Sequence, residues 1–370
     1  MRMATFYEAL RQNDRLFPLL RRPGINGTGV GYADPDKPAR GAAIIVYTSK
    51  NAAITEISKS IGKMIGESIP VRFITAGPFK PHATAAPKKM KRHMKAPIIR
   101  IRPTLFRSRI RPIPGGTSIG RENSGTGTCG LIVIRNGQLF ILSNNHVLIR
   151  ANRFGANIIQ PGAIDGGRAV TDRVGTPVQF VPFNLTGPNF MDAAIAQPFS
   201  NSLLNPRYLV SSTGQLIVPQ GHLLSYSVGD RFFKSGRTTG LVFGTVESIG
   251  MQFNVGPYRE LGNATLQFRN QTLITAPNNI SLPGDSGSVW MSGRFAAALN
   301  FAGSGTRSIS TPIASVLNTF GLRVAIPAGT GGFKAGRATG AAPKGNYAYV
   351  RPLSAEMLKQ LRVVRATSPK

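Results

Sequence analysis

Residues Pro283 to Trp290 read PGDSGSVW, and they carry more information about the architecture of this chain than any other segment. The centre of the segment is the tetrapeptide Gly284-Asp285-Ser286-Gly287. A nucleophilic serine needs a tight turn, and flanking glycines let backbone N–H groups point at a developing oxyanion. By chance, such a chain would contain GDSG about 0.01 times. Ser286 is therefore a candidate nucleophile, with an ordinary turn as the alternative.

A nucleophilic serine requires a base, and the chain has four histidines: His82, His93, His146 and His222. The first two lie in a strongly basic segment, where a solvated role is favoured, and His222 lies in a polar loop. His146 follows the apolar segment ILSNN and precedes an apolar run. It is the candidate base, and a structural histidine at the end of a strand is the alternative.

The base in turn needs a carboxylate. Eight acidic residues lie between positions 122 and 330, and only Asp192 stands directly against an apolar run, MDAAIA. A buried carboxylate without a partner is costly, and an imidazole would supply that partner. His146, Asp192 and Ser286 follow one another at intervals of 46 and 94 residues. The Ser-His-Asp template has the same order, with intervals of about 45 and about 93.

At these residues the sequence resembles the chymotrypsin-like (trypsin-fold) serine proteases. The resemblance is greatest to bacterial trypsin-like peptidases, and plant NARROW LEAF-type proteases are more distantly similar. It rests on ILSNNHV, QPGAIDGG, MDAAIA, KSGRTTG, PGDSGSVW and NFAGS, over about residues 116–324. It implies two antiparallel β-barrels, with His146 and Asp192 on the first and Ser286 on the second. The N–H groups of Gly284 and Ser286 would form the oxyanion hole, and the substrate would be a polypeptide.

The resemblance also implies a substrate pocket. Phe301, Ala302 and Gly303 would pair with the substrate and form the pocket wall, although an ordinary core strand is an equal interpretation for Phe301. Position 280, where trypsin-like members keep the acid that recognises Lys or Arg, is Ile280 here. We therefore expect no preference for a basic side chain before the cleaved bond.

Composition agrees with a mainly β protein. The 370 residues include 42 Gly and 27 Pro, and short β-rich runs recur from Thr117 onward, which is typical of a sandwich or barrel. The net charge of +30 is uneven, because residues 68–121 hold 13 basic and no acidic side chains. The single cysteine, Cys129, excludes an internal disulfide framework, and a buried thiol is favoured over a nucleophile there.

The chain divides into four predicted regions. Residues 1–77 contain a small α/β unit, residues 78–115 form a flexible or surface-tracking Pro-rich linker, and residues 326–370 form a Gly/Ala-rich basic tail. The protease domain spans 116–325, with barrels at about 116–198 and 225–325. Phe6 to Leu20 could form a short basic amphipathic helix, and a surface helix or a frayed terminus is favoured there over membrane binding. Lys234 and Arg237 of KSGRTTG could form part of a turn or contact an anion, and the turn is favoured.

The sequence contains no apolar run long enough for a membrane span or a secretory signal, so we expect a cytoplasmic location. It predicts no cofactor and no metal site. One rival function is binding of nucleic acid or another anionic surface through the basic linker, more as an accessory property than as the main one. Another is a catalytically silent binding protein on a protease fold. The oligomeric state stays open.

Overall fold

The computed structural model describes residues 3–66, 68–81, 104–122, 124–329, 331–340 and 349–366. Its N-terminal region contains the strands β1 (Ile25–Tyr32), β2 (Ala42–Thr48) and β3 (Val71–Thr75) and the helices α1 (Phe6–Arg15) and α2 (Ile54–Ile65). β1 and β2 are antiparallel, whereas β2 and β3 are parallel and are joined through α2. The predicted strand–helix–strand unit is therefore confirmed.

Local sequence explains both N-terminal helices. Thr5 and Glu8 form a capping box at the start of α1, which satisfies two N–H groups that a helix leaves unpaired. α1 buries Phe6, Ala9 and Leu10 against β1 and β2, so it is part of the core and not a frayed terminus. α2 buries Ile57, Ile61 and Ile65, which recur every four residues along one face.

The strand β1 was missed by the sequence analysis because it is rich in glycine. It pairs with β17 (Gly240–Tyr258) and so joins the N-terminal unit to a strand in the later part of residues 116–325. A Cβ at Gly29 would stand 1.7 Å from Met251 Sδ, and one at Gly27 would stand 2.3 Å from the Phe253 ring. The glycines are needed because the two strands approach so closely.

The rest of the chain is mainly β, as predicted. Within the described residues there are three further α-helices: α3 (Asn145–Leu148), α4 (Ile313–Phe320) and α5 (Ala355–Gln360). The remaining strands, in chain order, are β4 (Lys80–Pro81), β5 (Ile113–Gly115), β6 (Ser118–Arg121), β7 (Thr126–Thr128), β8 (Leu131–Arg135), β9 (Gln138–Ser143), β10 (Ile158–Ile159), β11 (Arg173–Phe180), β12 (Ala194–Pro198), β13 (Leu204–Leu209), β14 (Leu216–Ile217), β15 (Gly221–Leu223), β16 (Arg231–Gly236), β18 (Ala264–Thr275), β19 (Val289–Ser292), β20 (Phe295–Gly303), β21 (Arg307–Pro312), β22 (Arg323–Pro327), β23 (Phe333–Ala335), β24 (Arg337–Thr339) and β25 (Val364–Arg365).

The strands of residues 116–325 form two groups, called here the first half and the second half, and the two groups pair differently. In the second half, β16, β19, β20, β21, β18 and β17 are joined in that order, and β17 pairs back to β16, so the six strands close a ring. In the first half the order β22-β8-β9-β12-β11-β10-β6-β7 is open. The prediction of two barrels therefore stays a prediction, as do the predicted domain boundaries.

Parts of the predicted linker and tail are ordered elements. At one end of the linker, β4 pairs with β20; at the other, β5 pairs with β13, and Phe106 is buried. In the tail, β23, β24 and β25 pair with β22, β15 and β11. A description of residues 78–115 as a flexible or surface-tracking linker is wrong for these parts.

His82 and His93 lie outside the described residues. In the part of the chain that the structure describes, no helix has the length and apolar character needed to cross a membrane.

Candidate active site

The candidate nucleophile lies in a turn between the ring strands β18 and β19. Gly284 and Gly287 have φ angles of +102° and +93°, which favour glycine, and Ser286 between them is buried. The Gly287 N–H donates to Asn300 O at 2.9 Å, and the Thr128 N–H of the first half donates to Ser286 O at 2.8 Å. Neither the Gly284 N–H nor the Ser286 N–H donates to an acceptor within the described residues.

Asp285, next to the serine, anchors this turn. Its Oδ1 accepts from the N–H groups of Thr238 and Thr239 at 2.9 and 3.0 Å, and its Oδ2 accepts from the Leu282 N–H at 2.9 Å. The Nζ of Lys234 lies 3.7 Å from Oδ2, and both side chains are fully buried. The carboxylate is thus held by three backbone donors and one ammonium group.

Lys234 is not in a turn, as the sequence analysis favoured, but on β16. There it faces inward, on the same side of the strand as the buried Phe232. Its Nζ also donates to Thr239 Oγ1 at 3.1 Å and lies 5.6 Å from the centroid of the Trp290 ring. Burial lowers the pKa of Lys234, and the charge of Asp285 opposes that change.

Arg237 does lie in a turn, after β16, and its guanidinium also forms an ion pair with a carboxylate of the protein. Its Nε and Nη2 donate to the two carboxylate oxygens of Asp165 at 2.7 and 2.5 Å. Asp165 additionally accepts from Ser118 Oγ at 2.6 Å. Because Ser118 and Asp165 belong to the first half and Arg237 to the second, this largely buried pair ties the halves together beside the nucleophile turn.

His146 and Asp192 form a second buried pair. His146 lies on α3, the short helix after β9, and Asp192 comes just before β12, which pairs with β9. The His146 Nδ1 lies 2.5 Å from Asp192 Oδ2, and the His146 N–H donates to Asp192 Oδ1 at 3.2 Å. The pairing of the two strands therefore brings together the two residues that the sequence selected 46 positions apart.

Ser286, the third candidate residue, forms a hydrogen bond to a backbone carbonyl and not to His146. Ser286 Oγ donates to Phe301 O at 3.0 Å, and the buried His146 Nε2 has no hydrogen-bond partner within the described residues. A polar atom left unpaired in a buried position is uncommon in proteins. Here it is the ring nitrogen that a base would use to take a proton from the serine.

His146 borders a cavity of about 1020 Å³. The other lining residues include Arg121, Tyr258, Leu282, Gly303, Lys80 and Pro81. The ring centroids of Tyr258 and His146 are 6.1 Å apart, edge to face. Burial raises the pKa of the Tyr258 hydroxyl well above its ordinary value, and the charge of Asp192 raises it further. Tyr258 lies in the segment GPYRE, where the sequence carried no signal for it.

The four predicted pocket residues are divided. Gly303 lines the cavity, whereas Phe301, Ala302 and Ile280 are buried and are not among its lining residues. The Phe301 ring packs against Phe268 with centroids 4.7 Å apart, and Ile280 joins the core cluster that contains Trp290. The Ile280 side chain packs in the core, and its part in a substrate pocket stays a prediction.

Two sequence expectations concern metals and thiols. Within the described ranges, no group of three or more His, Cys, Asp or Glu side chains could hold a metal ion. Cys129 is fully buried in the connection between β7 and β8, and burial raises the pKa of its thiol to about 12. The thiol is therefore protonated at neutral pH, which is typical of a core residue.

No family model and no curated protein matches this chain. Among solved structures it is similar to chymotrypsin-like serine proteases over 57% of its length. A glutamic acid specific serine protease is 22% identical, with 100% of that chain covered and a TM-score of 0.44. Protease A of Thermobifida fusca is 21% identical, with 97% covered and a TM-score of 0.43. Human heparin binding protein is 13% identical, with 58% of this chain and 89% of that chain covered and a TM-score of 0.31. At these identities the likeness concerns the fold alone.

Proposed function

We propose that this protein is a serine endopeptidase that hydrolyses peptide bonds through Ser286, His146 and Asp192. One observation carries the proposal: the buried His146–Asp192 pair leaves the imidazole Nε2 unpartnered at the edge of a large cavity. A histidine oriented by a carboxylate and open on its other nitrogen is suited to general base chemistry.

The chemistry follows from these groups. Ser286 Oγ leaves Phe301 O, transfers its proton to His146 Nε2 and attacks the peptide carbonyl. Asp192 stabilises the imidazolium, which then protonates the leaving amine. The unpaired N–H groups of Gly284 and Ser286 bind the oxyanion, and each such donor contributes about 3 kcal/mol to the barrier reduction. Water then releases the acyl group from Ser286.

Several finer statements belong to the same proposal. The fold is a pair of antiparallel barrels like that of the bacterial trypsin-like peptidases, and the substrate is a polypeptide. Cleavage does not depend on a basic side chain, since position 280 holds an isoleucine where trypsin-like proteases keep an acid. The protein acts in the cytoplasm. With the predicted domain limits, His146 and Asp192 belong to the first barrel and Ser286 belongs to the second.

A serine-directed fluorophosphonate probe tests the proposal. The unmodified protein should be labelled and should cleave casein, and Ser286→Ala should abolish both. Ser310→Ala is a matched control, because Ser310 is equally buried but bonds to Ser308 on β21. Labelling of the Ser286→Ala variant at another serine would overturn the assignment.

One observation favours a second candidate, a catalytically silent binding protein on the same fold. Ser286 Oγ is bonded to Phe301 O and not to His146. If that bond is permanent, neither the unmodified protein nor the Ser310→Ala variant will be labelled. Nucleic-acid binding would then be the next function to test. Most of the basic segment that would contact the nucleic acid lies outside the described residues.

A further inference from the structure

The edge of β20 beside the nucleophile carries a segment from the N-terminal side of the chain. β4 runs antiparallel to β20, with Pro81 opposite Ala302 and Lys80 opposite Gly303. The other edge of β20 at these residues is occupied by β21. The edge that β4 covers is therefore the one on which an additional strand could pair.

This edge leads directly to the reacting groups. Phe301, the next residue of β20, accepts the hydrogen bond of Ser286 Oγ through its carbonyl oxygen. An extended peptide that added to β20 at Ala302 and Gly303 would consequently run towards the nucleophile. Strand addition to an exposed edge is a common way of binding peptides, because main-chain hydrogen bonds supply affinity for any sequence.

The N-terminal unit fixes β4 in place. Phe79, the residue before β4, is only 1% exposed and packs edge to face against Phe253 and Tyr47, with ring centroids 4.8 and 6.3 Å away. The Gly256 N–H donates to Phe79 O at 3.1 Å. Tyr47 belongs to β2 of the N-terminal unit, and Phe253 belongs to β17. The segment is thus clamped between the two parts of the molecule.

β4 also narrows the cavity itself. Pro78, Lys80 and Pro81 line the same space as His146 and Gly303. A substrate strand on β20 and the chain's own β4 would need the same edge and part of the same volume. They cannot both be bound.

Resting on the proposed function, we infer that Pro78–Pro81 is an intramolecular competitor of the substrate. It occupies the strand-docking edge of β20 and holds the protease in a self-inhibited state. The occupant is this named segment, and the ligand that displaces it is an extended polypeptide. The pairing is short, and Pro81 lacks an N–H, so Lys80 supplies the one backbone N–H that the two residues of β4 can offer. So short a contact can be displaced.

The inference predicts an effect on substrate binding and none on the chemical step. If β4 covers the edge nine-tenths of the time, the apparent affinity for a peptide falls about 10-fold. Releasing β4 should therefore lower KM about 10-fold and leave kcat unchanged.

Two substitutions at one position separate backbone pairing from side-chain contacts. Lys80→Pro removes the backbone N–H of β4, whereas the control Lys80→Ala removes the side chain and keeps the N–H. Each full-length variant is assayed with a fluorogenic peptide, and its active fraction is measured by fluorophosphonate labelling. We expect Lys80→Pro to lower KM about 10-fold and Lys80→Ala to change it less than about 2-fold. Phe79→Ala removes the anchor and should also lower KM. It replaces Lys80→Pro in the test if Lys80→Pro fails to fold.

The outcomes are distinguishable. The inference is overturned if Lys80→Pro and Phe79→Ala both fold, are labelled and have the same KM as the unmodified protein. That result would leave the proposed function intact. Absence of labelling in all of them would instead overturn the proposed function. As a further measurement, a synthetic peptide with the sequence of residues 75–81 should inhibit the Lys80→Pro variant competitively. Failure of that peptide to inhibit would also count against the inference.

Discussion

Each half of residues 116–325 contains a fully buried carboxylate next to a basic side chain, Asp192 in the first half and Asp285 in the second, yet the two pairs are built differently. Asp192 binds His146 through both carboxylate oxygens, and the imidazole keeps one nitrogen unpaired at the cavity. Asp285 and Lys234 are enclosed on all sides and fully buried, and three backbone N–H groups share the carboxylate.

The difference separates two tasks that buried charges can perform. The imidazole of the His146–Asp192 pair keeps one unpaired nitrogen within the described residues, and that nitrogen can accept and release a proton. In the Lys234–Asp285 pair the Lys234 Nζ is itself partnered, and what the pair holds is the turn that carries Ser286. We therefore expect loss of the first pair to affect the reaction and loss of the second to affect folding.

The largest effect should come from Asp192→Asn. The amide keeps the shape of the side chain but favours the wrong tautomer of His146, so kcat for a peptide substrate should fall about 10⁴-fold. The far-ultraviolet circular dichroism spectrum should stay unchanged. Asp36→Asn, at an exposed acid in a surface loop, should leave kcat at the level of the unmodified protein. A drop of less than about 10-fold in Asp192→Asn would show that His146 does not need its carboxylate.

The next effect concerns stability. Lys234→Met leaves Asp285 buried beside an apolar side chain, and breaking a buried ion pair in this way costs about 3–5 kcal/mol of unfolding free energy. Urea unfolding with linear extrapolation measures the loss. Lys234→Arg keeps the charge and should lose less.

A surface pair provides the matched control. Arg40 and Asp34 lie 3.2 Å apart, but the arginine side chain is 63% exposed, so Arg40→Met should cost about 1 kcal/mol at most. If Lys234→Met and Arg40→Met lowered the unfolding free energy equally, the buried pair would not support the nucleophile turn in the way we describe.

The sequence was sufficient for the parts of the molecule that local pattern determines. Strand runs such as LIVI and QLFILS became β8 and β9, and acids are so rare after position 122 that Asp192 was easy to select. His146 could be chosen because its alternatives lay in basic or polar surroundings. For His222 that argument was wrong, since it is buried on β15.

The sequence did not predict which residues far apart in the chain contact each other. Alternation along β16 could have placed Lys234 on the inner face with Phe232, but nothing local indicated that Asp285, 51 positions away, would meet it. The composition around Lys80 is that of a linker, and its pairing with β20 depends on the anchoring of Phe79 in two other elements. Tertiary contacts overrode local preference in both places.

His222 provides the smallest predicted effect and sharpens the comparison, because it is a buried base that pairs with no carboxylate in the described part of the chain. Its Nδ1 has no hydrogen-bond partner within the described residues; burial lowers its pKa below the ordinary 6.5, and the charge of Arg323 lowers it further. The unfolded chain therefore binds this proton at a higher pH than the folded protein does. Stability should consequently fall as the pH drops from about 6.5 towards the lower folded pKa. His222→Gln cannot titrate, so its unfolding free energy should decline less between pH 7.5 and pH 5 than that of the unmodified protein. An identical decline in both proteins would assign the acid sensitivity to other groups.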